Sequence, residues 1–241
     1  IPSYNNERWC IQNLESIVRQ SYPHYSVIYI NDCSTDKTGQ MVDDFIKTRN
    51  LQKKFTVIHN KKRKGALCNL YTIISSLPPK TIVVTVDGDD ELYGTQVLDR
   101  IANEYKNSAV WMTYGNYVTS PPSGPSCCGE IPKEVAENRT FRSFQWVASH
   151  LRTFYAKLFQ KIKKKDLLIK GEFYPATWDQ AFMLPMLEMS SKGHFRFIQD
   201  PLYIYNIQNP INDSRVRLEL QLALDKHIRA KRPYPALHTL F

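Results

Sequence analysis

The sequence predicts an α/β fold, a mostly parallel sheet with flanking helices, and three observations point there. Short apolar runs rich in β-branched and aromatic residues alternate with segments of helical periodicity from the start of the chain to about residue 116. Several of these runs end in polar or acidic residues, as strands do at the carboxyl edge of an open sheet, where ligands bind. One run, Thr81-Ile82-Val83-Val84-Thr85-Val86, reads as a strand buried on both faces, and it ends in Asp87-Gly88-Asp89. A chain of 241 residues is long enough for one large α/β domain or two small ones.

The elements follow in order. Ile1 already reads as the end of a strand, which is therefore expected to begin upstream. Asn6 to Gln20 carries Ile11, Leu14, Ile17 and Val18 at helical spacing and stops near Tyr22-Pro23. Val27-Ile28-Tyr29-Ile30 is a strand ending at Asn31-Asp32. Ser34-Thr35-Asp36 offers capping side chains to a helix that uses Met41, Val42, Phe45 and Ile46. Phe55 to His59 is a third strand, and Gly65 to Leu77 a helix closed by Pro78-Pro79. After the acidic triplet come a helix through Val97, Leu98, Ile101, Ala102 and Tyr105 and a strand from Val110 to Tyr114. The alternation implies right-handed crossovers. It breaks at the turn-rich stretch from Pro121 to Pro132, and long loops in compact domains are usually functional or mobile. Beyond lie helical stretches, a strand-like Phe195-Arg196-Phe197-Ile198, a helix from Arg215 to Arg229, and an extended tail from Lys231 to Phe241. The chain divides into residues 1–116 and a mixed half, 117–241, within one continuous domain.

Composition narrows the chemistry. Hydrophobic residues make up 42% and charged residues 23%, ordinary for a globular protein, and no apolar stretch reaches the length of a membrane span. Five scattered cysteines, with only Cys127 and Cys128 adjacent, form neither a metal-finger spacing nor an even set for bridging. That pattern favours a reducing compartment, the cytoplasm, including the cytoplasmic face of a membrane. The Asn138-Arg139-Thr140 triplet implies glycosylation only in a secretory context. A net charge of +9 suits nucleic acid, an anionic membrane surface or phosphate-bearing small substrates. The basic runs Lys61–Lys64 and Lys161–Lys165 hold no aromatic residue, against the interleaved pattern of a nucleic-acid surface.

Two carboxylates around a glycine at a strand end make a poor core and a good seat for a hard divalent cation. Mg²⁺ or Mn²⁺ prefers oxygen ligands and is often shared between carboxylates and substrate phosphates. The glycine would let a ligand approach the backbone. Such a triplet is also an ordinary turn, and its neighbours decide between the two.

Four pieces occur in one order: Pro2-Ser3-Tyr4-Asn5-Asn6-Glu7, Asn31-Asp32-Cys33-Ser34-Thr35-Asp36, Lys64-Gly65-Ala66-Leu67-Cys68-Asn69, and Asp87-Gly88-Asp89-Asp90. Together they resemble the family-2 glycosyltransferases, inverting enzymes of the GT-A fold. The resemblance implies a donor site for a nucleotide diphosphate sugar, UDP-linked first, formed by Pro2, Ser3, Tyr4, Asn6, Glu7, Asp32, Lys64, Asn69, Asp87, Gly88 and Asp89. Tyr4 would hold the base, Asp32 would accept the imide N–H of uracil, and Lys64 and its neighbours would face base or diphosphate. Asp87 would meet the ribose or sugar and Asp89 the metal, Mn²⁺ or Mg²⁺, with Asp90 in support. Asn31 stands where the family usually has an aspartate, which removes a charge from the base end.

The base of an inverting transfer must come from the acceptor side. The resemblance implies Asp179, in Ala176-Thr177-Trp178-Asp179-Gln180, followed by the apolar helical run Ala181 to Met189. Thr177 would cap that helix, Pro185 would kink it, and the helix dipole would stabilise a carboxylate in the first turn. The same position also serves an aspartate present only for helix stability. Trp178 would stack on a sugar ring or fill core. His150-Leu151-Arg152 matches an acceptor-side or diphosphate-side segment of some family members. The metal-ligating histidine of many GT-A enzymes has no counterpart in Tyr203 to Asn209.

The implied activity is metal-dependent transfer of a sugar to a hydroxyl of a glycan, glycolipid or protein, with inversion. A sugar nucleotidyltransferase is one rival, but its early glycine-rich loop is missing, since no glycine precedes Gly39. An inactive GT-A-like binding protein is another. The charge favours an anionic acceptor and admits peripheral contact with a membrane, while nucleic acid is not expected as a partner.

Overall fold

The computed structural model describes residues 1–212 and 216–241. The expected alternation is present. In chain order the elements begin with β1 (Pro2–Ser3), α1 (Cys10–Val18), β2 (Val27–Asn31), α2 (Thr38–Thr48), β3 (Phe55–His59) and α3 (Ala66–Ile74). They continue with β4 (Ile82–Thr85), β5 (Glu91–Leu92), α4 (Val97–Glu104), β6 (Met112–Ser120), α5 (Lys133–Asn138), β7 (Arg152–Tyr155) and α6 (Ala156–Gln160). The last are β8 (Leu168–Ile169), β9 (Glu172–Phe173), α7 (Trp178–Met189), β10 (Phe195–Asn206) and α8 (Leu218–Arg229). The expected start of the last helix at Arg215 lies outside the described residues.

The strands form two sheets and a small hairpin. β1, β2 and β3 make a parallel sheet in that order, as the βα alternation requires. The second sheet, ordered β4-β7-β6-β10-β5, is mixed. β6 runs parallel to β10, whereas β7 is antiparallel to both β4 and β6. It therefore draws strands from both sides of residue 116.

This arrangement corrects one expectation. The run Thr81 to Val86 is not buried on both faces: Ile82 is 37% exposed and Val83 and Val84 are half-buried. β4 pairs with β7 along one edge, and beyond its end on the other side the Gly88 N–H donates to Pro2 of β1.

Two apolar clusters hold the layers together. Leu14, Tyr29, Val42, Val97 and Ile101 pack one side, and Leu67, Met112, Phe154, Phe159 and Phe182 the other. α7 is buried from Gln180 to Met189, including Glu188, so its apolar run reads as core. Glu188 pairs there with Arg142, at 2.5 Å from Nε, and also accepts the Tyr234 N–H. Arg142 donates from Nη1 to the Ile228 carbonyl of α8. The C-terminal tail is extended, as expected, but docked: the Leu237 N–H donates to Met189 and Leu240 is buried.

Candidate active site

β4 delivers Asp87, Gly88, Asp89 and Asp90 to the end of the sheet, and the following turn ties the two sheets together. The Gly88 N–H donates to the Pro2 carbonyl at 3.2 Å. A Cβ on Gly88 would lie 2.5 Å from the Ser3 side chain and 2.8 Å from Asn6 Nδ2. Glycine is required here for the close approach of β1. Asn13 Nδ2 donates to the carbonyls of Asp87 (2.9 Å) and Asp90 (2.6 Å), which fixes the turn from below.

The carboxylates divide by their partners. Asp90 is buried and accepts the Tyr203 hydroxyl and the Asn206 N–H, both at 2.7 Å. The same hydroxyl accepts the Asp87 N–H at 3.0 Å. Asp90 therefore anchors the corner, in the supporting role expected of it. Asp89 accepts Asn209 Nδ2 at 2.6 Å. The stretch without a histidine thus still reaches the acidic corner, through an amide.

Charge is concentrated there. Burial pushes the Asp87 carboxyl up to about 6 against the pull of Arg152, and burial raises Asp89 as well. Asp90 is raised by burial and then by its two acidic neighbours. Asp87, Asp90 and His150 bring one ligand atom each within 4.8 Å of one another. Three closely spaced carboxylates, Asp90 buried and Asp87 and Asp89 half-buried, near one guanidinium are an electrostatic deficit that a hard divalent cation relieves. The oxygen-rich donor set fits such an ion. Asp89, which accepts the Asn209 amide, lines the same cleft beside Asp87 and Asp90.

On the nucleotide side, Asp32 ends β2 and organises the basic loop. Its Oδ1 accepts Asn60 Nδ2 (2.8 Å) and the Lys64 N–H (2.9 Å), and its Oδ2 accepts the Gly65 N–H (2.8 Å). Lys64 contributes that N–H, but its side chain is exposed and outside the cleft. Arg63 lines the cleft instead, its guanidinium 3.8 Å from the centre of the Tyr4 ring. Glu7 also falls outside: its carboxylate accepts the Lys37 N–H at the start of α2. Asn31 turns away, bonded to His59 and to the Ser34 N–H, so the missing charge does not face this cleft. Pro2, Ser3, Tyr4, Asn6, Asp32, Asn69, Asp87, Gly88 and Asp89 all line it.

The second half closes the cleft, which encloses about 280 Å³. Asp179 sits in the first turn of α7 as expected. Thr177 does not cap that helix; its hydroxyl donates to the Gln221 carbonyl, and its positive φ of 53° turns the chain into α7. Arg152 is buried between the acidic groups, with Nη2 3.7 Å from Asp179 Oδ2 and its guanidinium 5.4 Å from the Trp178 ring centre. Its Nε and Nη1 are buried without a partner. His150 stacks on Tyr203 at 4.4 Å, and burial drives its pKa well below the usual value, so the ring is neutral. Trp178, His150, Arg152 and Asp179 thus line one cavity with the acidic corner. Arg63 is the neighbour of Lys64 that lines the cleft. Sequence reasoning missed Tyr203, Asn209, Arg217 and Gln221, which carry no local motif.

Residues 1–126, just over half of the chain, match the family model described as Glycosyl transferase family 2. Among curated proteins, the chain is 24% identical over 240 residues to the glycosyltransferase GlyG of Streptococcus pneumoniae, covering 95% of this chain and 75% of that one. Among solved structures it is similar to S. aureus TarS 1–349 in complex with UDP-GlcNAc, with a TM-score of 0.65 at 17% identity. The similarity covers 94% of this chain and 64% of that one. It also resembles the mannosyltransferase PcManGT from Pyrobaculum calidifontis in complex with GDP-Man and Mn²⁺, with a TM-score of 0.63 at 19% identity, covering 97% and 64% of the two chains.

Proposed function

The chain belongs to glycosyl transferase family 2, and on that premise we propose a metal-assisted, inverting transfer of a sugar from a nucleotide diphosphate to an acceptor hydroxyl. One observation carries the reading: the acidic corner and Asp179 line the same cleft, with the Arg152 guanidinium 3.7 Å from Asp179 and acting electrostatically on Asp87. The donor is UDP-linked in the first instance, since TarS was captured with UDP and UDP-GlcNAc; the GDP-Man complex of PcManGT marks the competing base.

Each group has a task within that reading. The Tyr4–Arg63 stack offers a flat, cationic face to the base, and Asp32 Oδ2 retains acceptor capacity for an imide N–H. Asp87 and Asp89 would hold the cation, Mn²⁺ or Mg²⁺. When bound, that ion offsets the negative charge that builds on the leaving diphosphate. Asp179 accepts the proton of the acceptor hydroxyl as that oxygen attacks the anomeric carbon. Arg152 holds Asp179 in place and presents two unpartnered N–H donors to a substrate oxygen. Trp178 flanks the acceptor side. Base and leaving-group site belong to different halves of the chain, an arrangement that suits displacement from opposite faces of the sugar, and holding the two substrates in register supplies much of the rate.

The test is Asp179→Asn, assayed with UDP-sugars and Mn²⁺. Turnover should fall at least ~10³-fold while nucleotide affinity stays within about twofold, the signature of a group acting mainly in the transition state. Calorimetry showing lost nucleotide affinity would return Asp179 to a purely structural role.

A further inference from the structure

Eight large apolar side chains are exposed among the described residues, and five of them fall between positions 211 and 222. Ile211, Val216, Leu218, Leu220 and Leu222 are 38–57% exposed, a concentration that scattered surface apolar residues do not produce. They sit at the mouth of the cleft, because Ile211, Arg217 and Gln221 line it. α8 buries Leu224 and Ile228 on its inner side and turns Leu218, Leu222 and Lys226, spaced by four, outward. A helix needs no second apolar face to pack on its own domain.

Basic side chains cluster near its far end. Lys161, Lys163, Lys164, Lys165 and Lys170 are all exposed, and their segment is bound to the chain just after α8. Lys231 Nζ donates to the Leu168 carbonyl, the Tyr234 hydroxyl accepts the Lys163 N–H, and Tyr234 donates to Asp166. Asp166 is thereby engaged, and Asp225 is paired with Arg229, which leaves Glu219 as the exposed acid on α8.

We infer that α8 and the 161–170 segment form a docking surface for an anionic lipid bilayer, and that the acceptor is anchored in that bilayer. The inference rests on the transferase reading and names its acceptor class. Lysines drawn to acidic headgroups and leucines buried at the acyl boundary are the two contributions that hold interfacial helices. A nucleic-acid surface would use the lysines but gain nothing from a row of exposed leucines. A second copy of this chain would gain from the leucines but be repelled by the lysines.

The test is flotation of the protein with vesicles of phosphatidylglycerol and phosphatidylcholine, compared with phosphatidylcholine alone, without nucleotide. Binding should require the anionic lipid and weaken with salt. Leu218→Ser with Leu222→Ser should lower partition at least tenfold, and Lys163→Gln with Lys164→Gln and Lys165→Gln should do the same. Both sets are exposed, so an unchanged Tm verifies the fold. A parallel UDP thermal shift separates the two readings: vesicle binding without it sinks the transferase site, and the shift without vesicle binding sinks the surface. Equal binding to both vesicle types, a dimer by light scattering that the leucine variants dissolve, or retention of RNA that the lysine variants abolish would each overturn the proposal.

Discussion

Asp32 shows how one side chain can organise a binding loop. Burial alone would raise its pKa, but the nearby Asn69 amide and the hydrogen bonds donated by Lys64, Asn60 and Gly65 outweigh that, and the carboxyl sits below its usual value. A depressed folded-state pKa adds stability above the unfolded value, and that stability is lost as pH falls through the lower folded one. Asp32→Asn should therefore lower Tm fully near about pH 6, with the gap to wild type closing below about pH 4. A gap that stayed constant in scanning fluorimetry from neutral to acid pH would show that ionisation of Asp32 is not what holds the loop. Lys64 and Glu7 teach the opposite lesson. Both lie in segments that resemble the family, yet one contributes its backbone N–H and the other braces α2. A motif names a stretch of chain, and side-chain direction is set by what the backbone must satisfy.

At the scale of elements, α7 does two things at once. Its first turn carries Asp179 into the cleft, and its last carries Glu188 into the core. The Glu188–Arg142 pair joins α7 to α8 and to the tail, through the Ile228 carbonyl and the Tyr234 N–H. Burial raises the Glu188 pKa against the pull of Arg142, as expected for a carboxylate withdrawn from water. Removing one partner of such a pair leaves an uncompensated buried charge. Arg142→Ala should cost about 3–5 kcal/mol in urea unfolding, with α8 and the tail the first segments to lose hydrogen-exchange protection. A loss below about 1 kcal/mol would show that the pair is dispensable.

Across the whole molecule, the two sheets are pinned together at the acidic corner by the Gly88 N–H on Pro2, and within the second sheet Tyr203 braces that corner between Asp87 and Asp90. An ion held by Asp87 and Asp89 would also neutralise charge that burial makes costly, so its binding should stabilise the entire fold. Ligand at about 100 times its dissociation constant adds roughly 2.7 kcal/mol. Mn²⁺ with UDP should therefore raise Tm by several degrees, excess chelator should cancel the gain, and Asp89→Ala should abolish its metal-dependent part. An undiminished shift in chelator would take the cation out of the donor site.

The sequence by itself determined the alternation of strands and helices, the strand-end placement of Asp32 and Asp87 to Asp90, and the first-turn position of Asp179. These follow from periodicity, β-branching and turn chemistry, which act over a few residues. Only the tertiary structure decided that β7 enters the second sheet antiparallel, that Arg63 rather than Lys64 meets Tyr4, that Asn209 and Gln221 reach the cleft, and that the buried Tyr203 braces the acidic corner. Those outcomes depend on contacts between residues far apart in the chain, such as Arg63 on Tyr4, Tyr203 on Asp90 and Asn209 on Asp89. Long-range packing chooses such partners by which buried polar groups still lack one, and no local pattern in the chain records that.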